Sequence, residues 1–260
     1  NIIKLKEEIN YLRDENIKEL EEINLTSKNE VLNSMYKSIL QVAQSPAPVL
    51  ISGETGTGKK VTAMKIHKLS SRRNEPFVIV NCNRESEVEL ENELFGWEKG
   101  IFQDTSEKKK GKLEIAGKGT LFIEEINKLS LNLQMKLLDI IENRTFKRAG
   151  QATGNLKFDA RVIASTNKDL IDEIEEGKFR EDLFYKLNVF PIKLPPLRNR
   201  TEDILDLLDY FIKKHDSLKK IKGISPDTIR FLKNYHWPGN IIELENVIER
   251  IVILCQEPYI

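Results

Sequence analysis

One stretch of the chain combines residue types and a spacing that suit phosphate binding: Gly53-Glu54-Thr55-Gly56-Thr57-Gly58-Lys59. A glycine followed by four residues and then Gly-Lys is the spacing of a phosphate-binding loop. Its glycines let the backbone turn tightly and point N–H groups at an anion. Lys59 adds a positive charge for the terminal phosphates, and the helix predicted from Lys60 adds the positive end of its dipole. The alternative is an ordinary glycine-rich turn between a strand and a helix.

Two adjacent carboxylates, Glu124 and Glu125, follow an apolar run at 120–123 that is typical of a buried strand. Beside a phosphate-binding loop, one carboxylate can hold Mg²⁺ through its waters, and the other can orient a water for attack on a γ-phosphate. The residues themselves leave open which carboxylate takes which role. The alternative is a pair of solvated acids that opens a loop.

A polar triplet, Ser165-Thr166-Asn167, ends another predicted strand. In this position Asn167 could contact the γ-phosphate or the attacking water. The competing interpretation is that Asn167 caps a helix predicted at 168–174. The residues themselves leave both interpretations open.

The elements that must position these side chains alternate between strands and helices. Strands are predicted at 49–52, 77–81, 120–123, 161–165 and 188–192, with helices between them, such as 131–141 after the turn at Ser130. This alternation predicts an α/β fold with a five-stranded parallel sheet covered by helices on both faces. Ligands of such sheets bind at the carboxyl ends of the strands, where the loop and the carboxylates are expected.

After residue 197 the pattern predicts helices alone. Thr201 caps one helix, Ser225 and Pro226 begin another, and Asn240 with Glu243 forms a capping box for the last. This part of the chain is therefore predicted to be a small helical domain.

The first residues of the chain are also helical in pattern. Ile2, Leu5, Ile9 and Leu12 follow three-four spacing, and Asn16 falls on the same seam. This predicts a linker helix, either a short coiled coil or an amphipathic helix packed on its own domain. A second helix is predicted at 27–44. We therefore divide the chain into a linker helix (1–25), an α/β nucleotide-binding domain (26–196) and a helical domain (197–260).

Composition narrows the class of protein. The 260 residues carry 41 basic and 41 acidic side chains, and this zero net charge argues against direct DNA binding by these residues. No apolar run approaches the ~20 residues of a membrane span. Cys82 and Cys255 show no disulfide-framework spacing, as expected in a reducing cytoplasm, and the three histidines lack metal-ligand spacing. Because the chain begins at Asn1 and stops at Ile260, we expect it to be a fragment of a longer protein.

Seven ordered blocks resemble the AAA+ domain of the sigma-54-dependent transcriptional activators, the NtrC-like enhancer-binding proteins. They extend over about residues 26–260, so the resemblance is far more specific than a phosphate-binding loop alone. The blocks are GETGTGKK (53–60), PFVIVNC (76–82), ELFGWEKG (93–100), GTLFIEEI (119–126), RVIASTNKDL (161–170), FREDLFYKLNVFPIKLPPLRNR (179–200) and WPGNIIELENVIER (237–250).

The resemblance implies a P-loop AAA+ three-layer fold followed by a helical lid, with ATP and Mg²⁺ as cofactors. Residues 53–59, with Lys60 beside them, would bind the ATP phosphates. Glu124 and Glu125 would be the Walker B pair, with Glu124 holding Mg²⁺ through water and Glu125 polarising the attacking water. Asn81 would restrain Glu125.

The resemblance also implies an assembly. Asn167 would be the first sensor, and Arg180 and Lys186 would be fingers that reach the nucleotide of the next subunit. Such proteins work as homo-oligomeric rings, usually hexamers, with dimers as an inactive form. They remodel the polymerase bound to sigma-54, receive signals through an upstream domain and bind DNA through a C-terminal domain.

Four residues depart from the family pattern around the nucleotide. Lys60 stands where the family usually has Glu, and Glu124 replaces the Walker B Asp. Lys186 replaces an arginine finger and loses its planar fork. Ile242 stands at the position of the second-sensor arginine and carries no charge.

A fifth departure concerns the loop that contacts sigma-54 in the family, which reads GAFTGA. The corresponding residues here are Gly100-Ile101-Phe102-Gln103-Asp104-Thr105. The aromatic contact Phe102 is kept, but Gln103 and Asp104 replace a threonine and a glycine, which removes flexibility and adds a negative charge.

Three functions fit these residues. The first is an ATP-hydrolysing ring that activates sigma-54 polymerase. The second is a degenerate family member that binds nucleotide for assembly, hydrolyses it poorly and does not engage sigma-54. The third is an unrelated P-loop machine, which does not explain the WPGN and LPPLR blocks.

Overall fold

A computed structural model of the chain describes residues 30–83, 86–99, 108–151, 153–215, 221–255 and 259–260. The described residues fall into two compact units. The α/β unit comprises Lys37–Leu194, and the helical unit comprises Pro195–Ile260 together with the described residues up to Tyr36. The predicted linker helix at 1–25 and the partner loop at 100–105 lie outside the described residues.

The α/β unit is built on a five-stranded sheet in which neighbouring strands are parallel, in the order β2-β5-β8-β1-β9. The strands are β1 (Val49–Ser52), β2 (Phe77–Asn81), β5 (Thr120–Glu124), β8 (Arg161–Thr166) and β9 (Phe190–Lys193). Two short antiparallel pairs accompany it: β3 (Gly96–Trp97) with β4 (Lys109–Lys110), and β6 (Thr145–Phe146) with β7 (Leu156–Lys157). The predicted parallel sheet is confirmed.

The central strands of this sheet are covered on both faces. All six residues of β8 are buried, and so are the first four of β5. Side chains of a strand point alternately to opposite faces, so complete burial requires cover on each face. These near-continuous apolar runs explain why the strands could be read from the sequence.

The helices of the chain follow the predicted alternation. In chain order they are α1 (Glu30–Ala43), α2 (Lys59–Lys68), α3 (Glu87–Phe95), α4 (Lys112–Ala116), α5 (Leu131–Asn143), α6 (Leu170–Glu175), α7 (Glu181–Leu187), α8 (Ile204–His215), α9 (Pro226–Asn234) and α10 (Asn240–Leu254). Short 3₁₀ turns lie at Ile126–Lys128, Leu197–Asn199 and Thr201–Asp203. Within the described residues, none of the helices combines the length and apolar composition needed to cross a membrane.

Local capping explains where α5 begins and ends. The Ser130 hydroxyl accepts a hydrogen bond from the N–H of Leu133 at 3.3 Å, as the sequence predicts. The helix ends at Arg144, whose left-handed backbone (φ 55°) closes the last turn. The observed helix is therefore two residues longer than the predicted 131–141, because a non-glycine left-handed residue is hard to recognise in sequence.

The register of the sheet brings the chemistry-bearing strand ends together. Ser52 pairs with Thr166, and Asn81 pairs with Glu124, each at the carboxyl end of its strand. The phosphate-binding loop follows β1, Glu125 follows β5, and Asn167 follows β8. The residues assigned to chemistry therefore leave the sheet along one edge.

The helical unit has its own buried core. Its fully or nearly fully buried apolar side chains are Leu197, Ile204, Leu208, Phe211, Leu232, Trp237, Leu244 and Ile248. Ser225 caps α9 with Pro226 in its first turn, as predicted. The sequence predicts a helix that begins at Thr201. Residues Thr201–Asp203 instead form a 3₁₀ turn, and the α-helix begins at Ile204.

The predicted capping box at Asn240 is wrong. Gly239 occupies the N-cap position, and its N–H donates to Glu243 Oε2 at 2.8 Å. Asn240 is fully buried and accepts a hydrogen bond from the N–H of Leu197 at 2.8 Å. A tertiary contact therefore takes the side chain that local pattern assigns to a cap.

Candidate functional site

The glycine-rich loop has the backbone conformations that its residue types allow. Gly56 and Gly58 have left-handed φ values of 80° and 99°, which side chains with a Cβ atom rarely adopt. Thr57 is buried, and its hydroxyl donates to the carbonyl of Glu54 at 2.8 Å, which closes the loop on itself. Sequence reasoning did not foresee this role of Thr57. Lys60 is exposed at the start of α2.

Lys59 lies inside the loop and not in solvent. Only 6% of its side chain is exposed. Its ammonium donates to the carbonyls of Gly53 at 2.8 Å and Glu54 at 3.2 Å, and lies 3.2 Å from Glu125 Oε1. The structure therefore joins the loop lysine to one of the two predicted carboxylates.

Glu125 adopts a left-handed conformation, with φ 56° and ψ 54°. This region is disfavoured for residues with a Cβ atom and persists where surrounding contacts hold it. The N–H of Glu125 donates to the Ser165 hydroxyl at 3.4 Å. The turn directs one carboxylate oxygen at Lys59 and the other at the backbone of Asn167.

Asn167 contacts the segment that follows β5 and the loop that follows β1. Its N–H donates to Glu125 Oε2 at 3.1 Å, and its amide Nδ2 lies 3.4 Å from Thr55 Oγ1. The cap of the following helix is Asp169, which accepts from the N–H of Ile171 at 2.9 Å. The interpretation of Asn167 as a helix cap is therefore wrong, and its side chain is available to the loop.

Asn81 and Glu124 lie next to each other at the carboxyl ends of neighbouring strands. The two residues are register partners at the ends of β5 and β2. Asn81 is exposed, and its Oδ1 accepts from the N–H of Asn83 at 2.8 Å. Glu125 instead contacts Lys59 and Asn167. The restraint of Glu125 by Asn81 stays a prediction.

The donor set at this edge fits a magnesium ion held mainly by water and substrate. Glu124 is half-buried at the strand end and offers carboxylate oxygens. Among the described residues, no three His, Cys, Asp or Glu side chains gather into a ready-made metal cage. Mg²⁺ commonly binds through one or two carboxylates together with waters and phosphate oxygens, so Glu124 suits it.

The two predicted fingers lie on one short helix and are each paired within the chain. Arg180 occupies the N-cap position of α7, and its side chain forms a two-pronged ion pair with Asp182, at 3.0 Å and 2.6 Å. This hydrogen bonding raises the pKa of Arg180 above its ordinary value. Lys186 lies in the last turn of α7, 3.0 Å from Glu142 Oε1 of α5. Both cations are partly exposed.

The buried side chain of Gln134, which sequence reasoning missed, holds the segment that leads into α7. Gln134 is fully buried, and its amide donates to the carbonyls of Leu129 at 2.8 Å and Lys178 at 3.0 Å. Its oxygen accepts from the N–H of Arg180 at 2.8 Å. The available signal was a lone glutamine on the apolar side of α5, since buried polar side chains need hydrogen-bond partners.

Ile242 and Cys82 lie outside the contact network of Lys59, Glu125 and Asn167. Ile242 is 54% exposed on α10 in the helical unit, so the position of the expected second sensor is an uncharged surface residue. Burial, followed by the charges of Glu93, Glu124 and Glu125, raises the pKa of the Cys82 thiol to about 12. Cys82 is therefore a neutral packing residue beside the carboxylates.

Comparison with known proteins agrees with this geometry. The family described as the sigma-54 interaction domain matches residues 25–193, and the family described as the AAA+ ATPase lid domain matches residues 198–260. The chain is 43% identical over 239 residues to the nitrogen fixation protein AnfA of Azotobacter vinelandii, covering 91% of this chain and 45% of AnfA. It is 42% identical over 238 residues to the transcriptional regulatory protein ZraR of Klebsiella oxytoca, covering 91% of this chain and 54% of ZraR.

Solved structures show the same architecture. NtrX from Brucella abortus in complex with ADP has a TM-score of 0.83 at 36% identity, covering 98% of this chain and 57% of NtrX. Its complex with ATP has a TM-score of 0.83 at 36% identity and covers 96% of this chain and 56% of NtrX. The chain thus spans about half the length of these relatives. With a family match over most of its residues, the chain belongs to the sigma-54 interaction domain family of AAA+ P-loop ATPases.

Proposed function

We propose that this chain is the ATP-hydrolysing domain of a sigma-54-dependent transcriptional regulator and remodels sigma-54 RNA polymerase from within a homo-oligomeric ring. The observation that carries the proposal is the contact chain at the carboxyl ends of β1, β5 and β8. There Lys59 contacts Glu125, Glu125 contacts Asn167, and Asn167 reaches Thr55 of the loop. A phosphate-binding loop, a carboxylate and a polar sensor are thus within contact of one another.

These residues divide the work of phosphoryl transfer. The loop at residues 53–59, through backbone N–H groups, and the ammonium of Lys59 bind the phosphates. To reach the terminal phosphate, Lys59 exchanges its contact with Glu125 for phosphate oxygens. Glu125, released from the cation, orients the attacking water, and Asn167 holds the γ-phosphate or that water.

Glu124 is assigned to Mg²⁺ because it supplies carboxylate oxygens at the strand end beside the loop. When bound, the ion neutralises charge that develops on the phosphates. Lys60 lies exposed at the start of α2, where the family usually has Glu. Its positive charge attracts phosphate directly and opposes magnesium binding beside it.

Arg180 and Lys186 are proposed to act on the nucleotide of the neighbouring subunit. Their partial exposure and their placement on α7 support this, as does membership of the family. The ion pairs with Asp182 and Glu142 would then be exchanged for phosphate contacts. Surface ion pairs of this kind commonly stabilise the fold by only about 0–1 kcal/mol. Contacts with a phosphate can therefore replace them at little cost in free energy.

The sigma-54 contact is assigned to residues 100–105, with Phe102 as the aromatic contact. The family description and the curated relatives, among them the formate hydrogenlyase activator FhlA of Escherichia coli, support a regulatory role. DNA binding is assigned to a domain outside this chain, since the 41 basic and 41 acidic side chains give no net charge to attract DNA. We place the protein in the cytoplasm, where polymerase acts.

A phosphate-release assay with Mg²⁺ over a range of protein concentrations tests the proposal. Turnover per subunit that rises with concentration supports a finger supplied by a neighbour. Saturable ATP binding without turnover at any concentration would contradict hydrolysis and favour the degenerate alternative. The exposed, uncharged Ile242 is the observation that favours this alternative.

The polymerase step needs its own assay. Complex formation with sigma-54 in the presence of ADP and aluminium fluoride is expected for the parent chain and lost in Phe102→Ala, while ATP turnover stays near the parent rate. A ring that forms without binding sigma-54 would remove the polymerase role and leave the ATPase role standing.

A further inference from the structure

A buried asparagine links the two loops that carry Glu125 and Asn167. Asn127 lies in the 3₁₀ turn Ile126–Lys128, only 7% exposed, two residues after Glu125. Its Oδ1 lies 3.2 Å from the hydroxyl of Thr166, the residue immediately before Asn167. One side-chain contact therefore connects the segments on which the carboxylate and the sensor are mounted.

The hydrogen-bond inventory of Thr166 determines what this contact is. Its hydroxyl accepts from the N–H of Lys168 at 3.1 Å and lies 2.9 Å from the carbonyl of Lys168. A hydroxyl has one hydrogen, so it cannot donate to both that carbonyl and Asn127. Within the described part of the chain, Asn127 Nδ2 is a buried donor without a partner. Turned over, the amide donates Nδ2–H to Thr166, whose hydrogen then goes to Lys168. In either orientation one hydrogen bond joins Asn127 to Thr166.

The turn at Glu125 needs such support. Its left-handed backbone persists only where neighbours hold it. The end of β8 supplies two hydroxyls for this: Ser165 accepts from the N–H of Glu125, and Thr166 contacts Asn127. Without the Asn127–Thr166 contact, the turn loses one of the hydrogen bonds that hold it to the end of β8.

We propose that Asn127 is a positioning residue for ATP hydrolysis. Its hydrogen bond with Thr166 holds the Glu125 turn and Asn167 at the separation at which the N–H of Asn167 contacts Glu125 Oε2, 3.1 Å. Asn127 itself touches neither substrate nor reacting atoms. The inference rests on the proposed function of this site. Asn127 lies outside the seven sequence blocks that resemble the family.

Kinetics of four variants test the proposal: Asn127→Ala, Thr166→Val, the double variant, and Thr166→Ser, which keeps the hydroxyl. Asn127→Ala is expected to lower kcat about tenfold, the rate equivalent of one hydrogen bond. The KM for ATP should stay near the parent value because the phosphate contacts of residues 53–59 are unaltered. The double variant should be no slower than Thr166→Val, because both changes remove the same bond. Thr166→Ser should retain most of the rate.

A second measurement does not depend on turnover. Hydrogen exchange of the Glu125 and Asn167 amides should be faster in Asn127→Ala than in the parent. Ser86→Ala, which removes the cap of α3 away from this contact, is the matched control and should leave both amides unchanged. Strictly additive rate losses, or unchanged exchange in Asn127→Ala, would overturn the role of Asn127. A parent protein without ATP turnover would instead overturn the proposed hydrolysis, while the exchange data would still decide the positioning.

Discussion

The ammonium of Lys59 lies 3.2 Å from Oε1 of Glu125, and both side chains are largely buried. The cation assigned to phosphate and the carboxylate assigned to water thus neutralise each other. Under the proposed function, phosphate oxygens compete with Glu125 for the same ammonium, and binding of a triphosphate frees this carboxylate to orient water. Substrate binding and water activation would then be linked within one protomer.

Glu125→Gln keeps the shape of the side chain and removes its charge. We expect ATP turnover to fall by about 10²–10⁴, the usual contribution of a positioned base. Saturable nucleotide binding should persist, since Lys59 loses a competitor. Steady-state phosphate release and titration with a fluorescent ATP analogue measure the two effects. Glu176→Gln, which alters an exposed ion pair with Lys178, is the matched control. A rate close to the parent would remove Glu125 from the mechanism.

Lys59→Ala tests the phosphate site itself. The change removes a buried cation that contacts two loop carbonyls, so both the charge and the loop closure are lost. We expect no saturable nucleotide binding in a calorimetric titration. Lys118→Ala removes an exposed lysine elsewhere in the α/β unit and should bind like the parent. If Lys59→Ala bound ATP normally, the family membership would describe ancestry only.

Arg180→Ala should lower turnover by about 10³ or more, the usual contribution of an arginine finger. If the finger acts on a neighbour, mixing this variant with Lys59→Ala should restore part of the rate, because each supplies what the other lacks. Mixed rings would place an intact Arg180 beside an intact loop. Phosphate release from the mixture, compared with each variant alone, measures the rescue. Absence of rescue in mixtures shown to co-assemble would argue that Arg180 does not act in trans.

Lys186→Arg restores a planar fork at the second finger position. We expect turnover to rise by about tenfold or more, because one additional charged hydrogen bond to phosphate becomes available. Thermal unfolding should hardly change, since Arg can keep the surface contact with Glu142. An unchanged rate would show that this position is not a working finger.

The pH dependence of stability tests whether the Cys82 thiol is buried beside the carboxylates. Its pKa is raised from 9.0 to about 12, so its stabilising contribution is fully present below pH 9 and is lost as the pH rises toward 12. The free energy of unfolding should therefore fall more steeply with pH in the parent than in Cys82→Ala. Iodoacetamide at pH 8.5 should modify the half-buried Cys255 in the folded chain and Cys82 only after denaturation. Rapid alkylation of native Cys82 would contradict this environment.

Much of the fold could be predicted from local features of the sequence. Apolar runs predicted the five strands, and Ser130 and Ser225 marked the starts of α5 and α9, because capping and periodicity depend on neighbours in sequence. Helix ends were less certain, since α5 closes on the left-handed Arg144. Asn240 was misjudged because a distant backbone group, the N–H of Leu197, occupies its side chain.

The amino-acid pattern was enough to predict the parallel α/β class, the phosphate-binding loop and the carboxylates at a strand end, because each depends on residues adjacent along the chain. Other contacts are visible only in the folded chain. Lys59 lies against Glu125, Asn167 faces the loop while Asp169 caps the helix, and the buried Gln134 and Asn127 form hydrogen bonds to other segments. These contacts join segments far apart in sequence. Their geometry depends on strand register and on turns such as Glu125, whose conformation is set by packing and hydrogen bonds rather than by local preference.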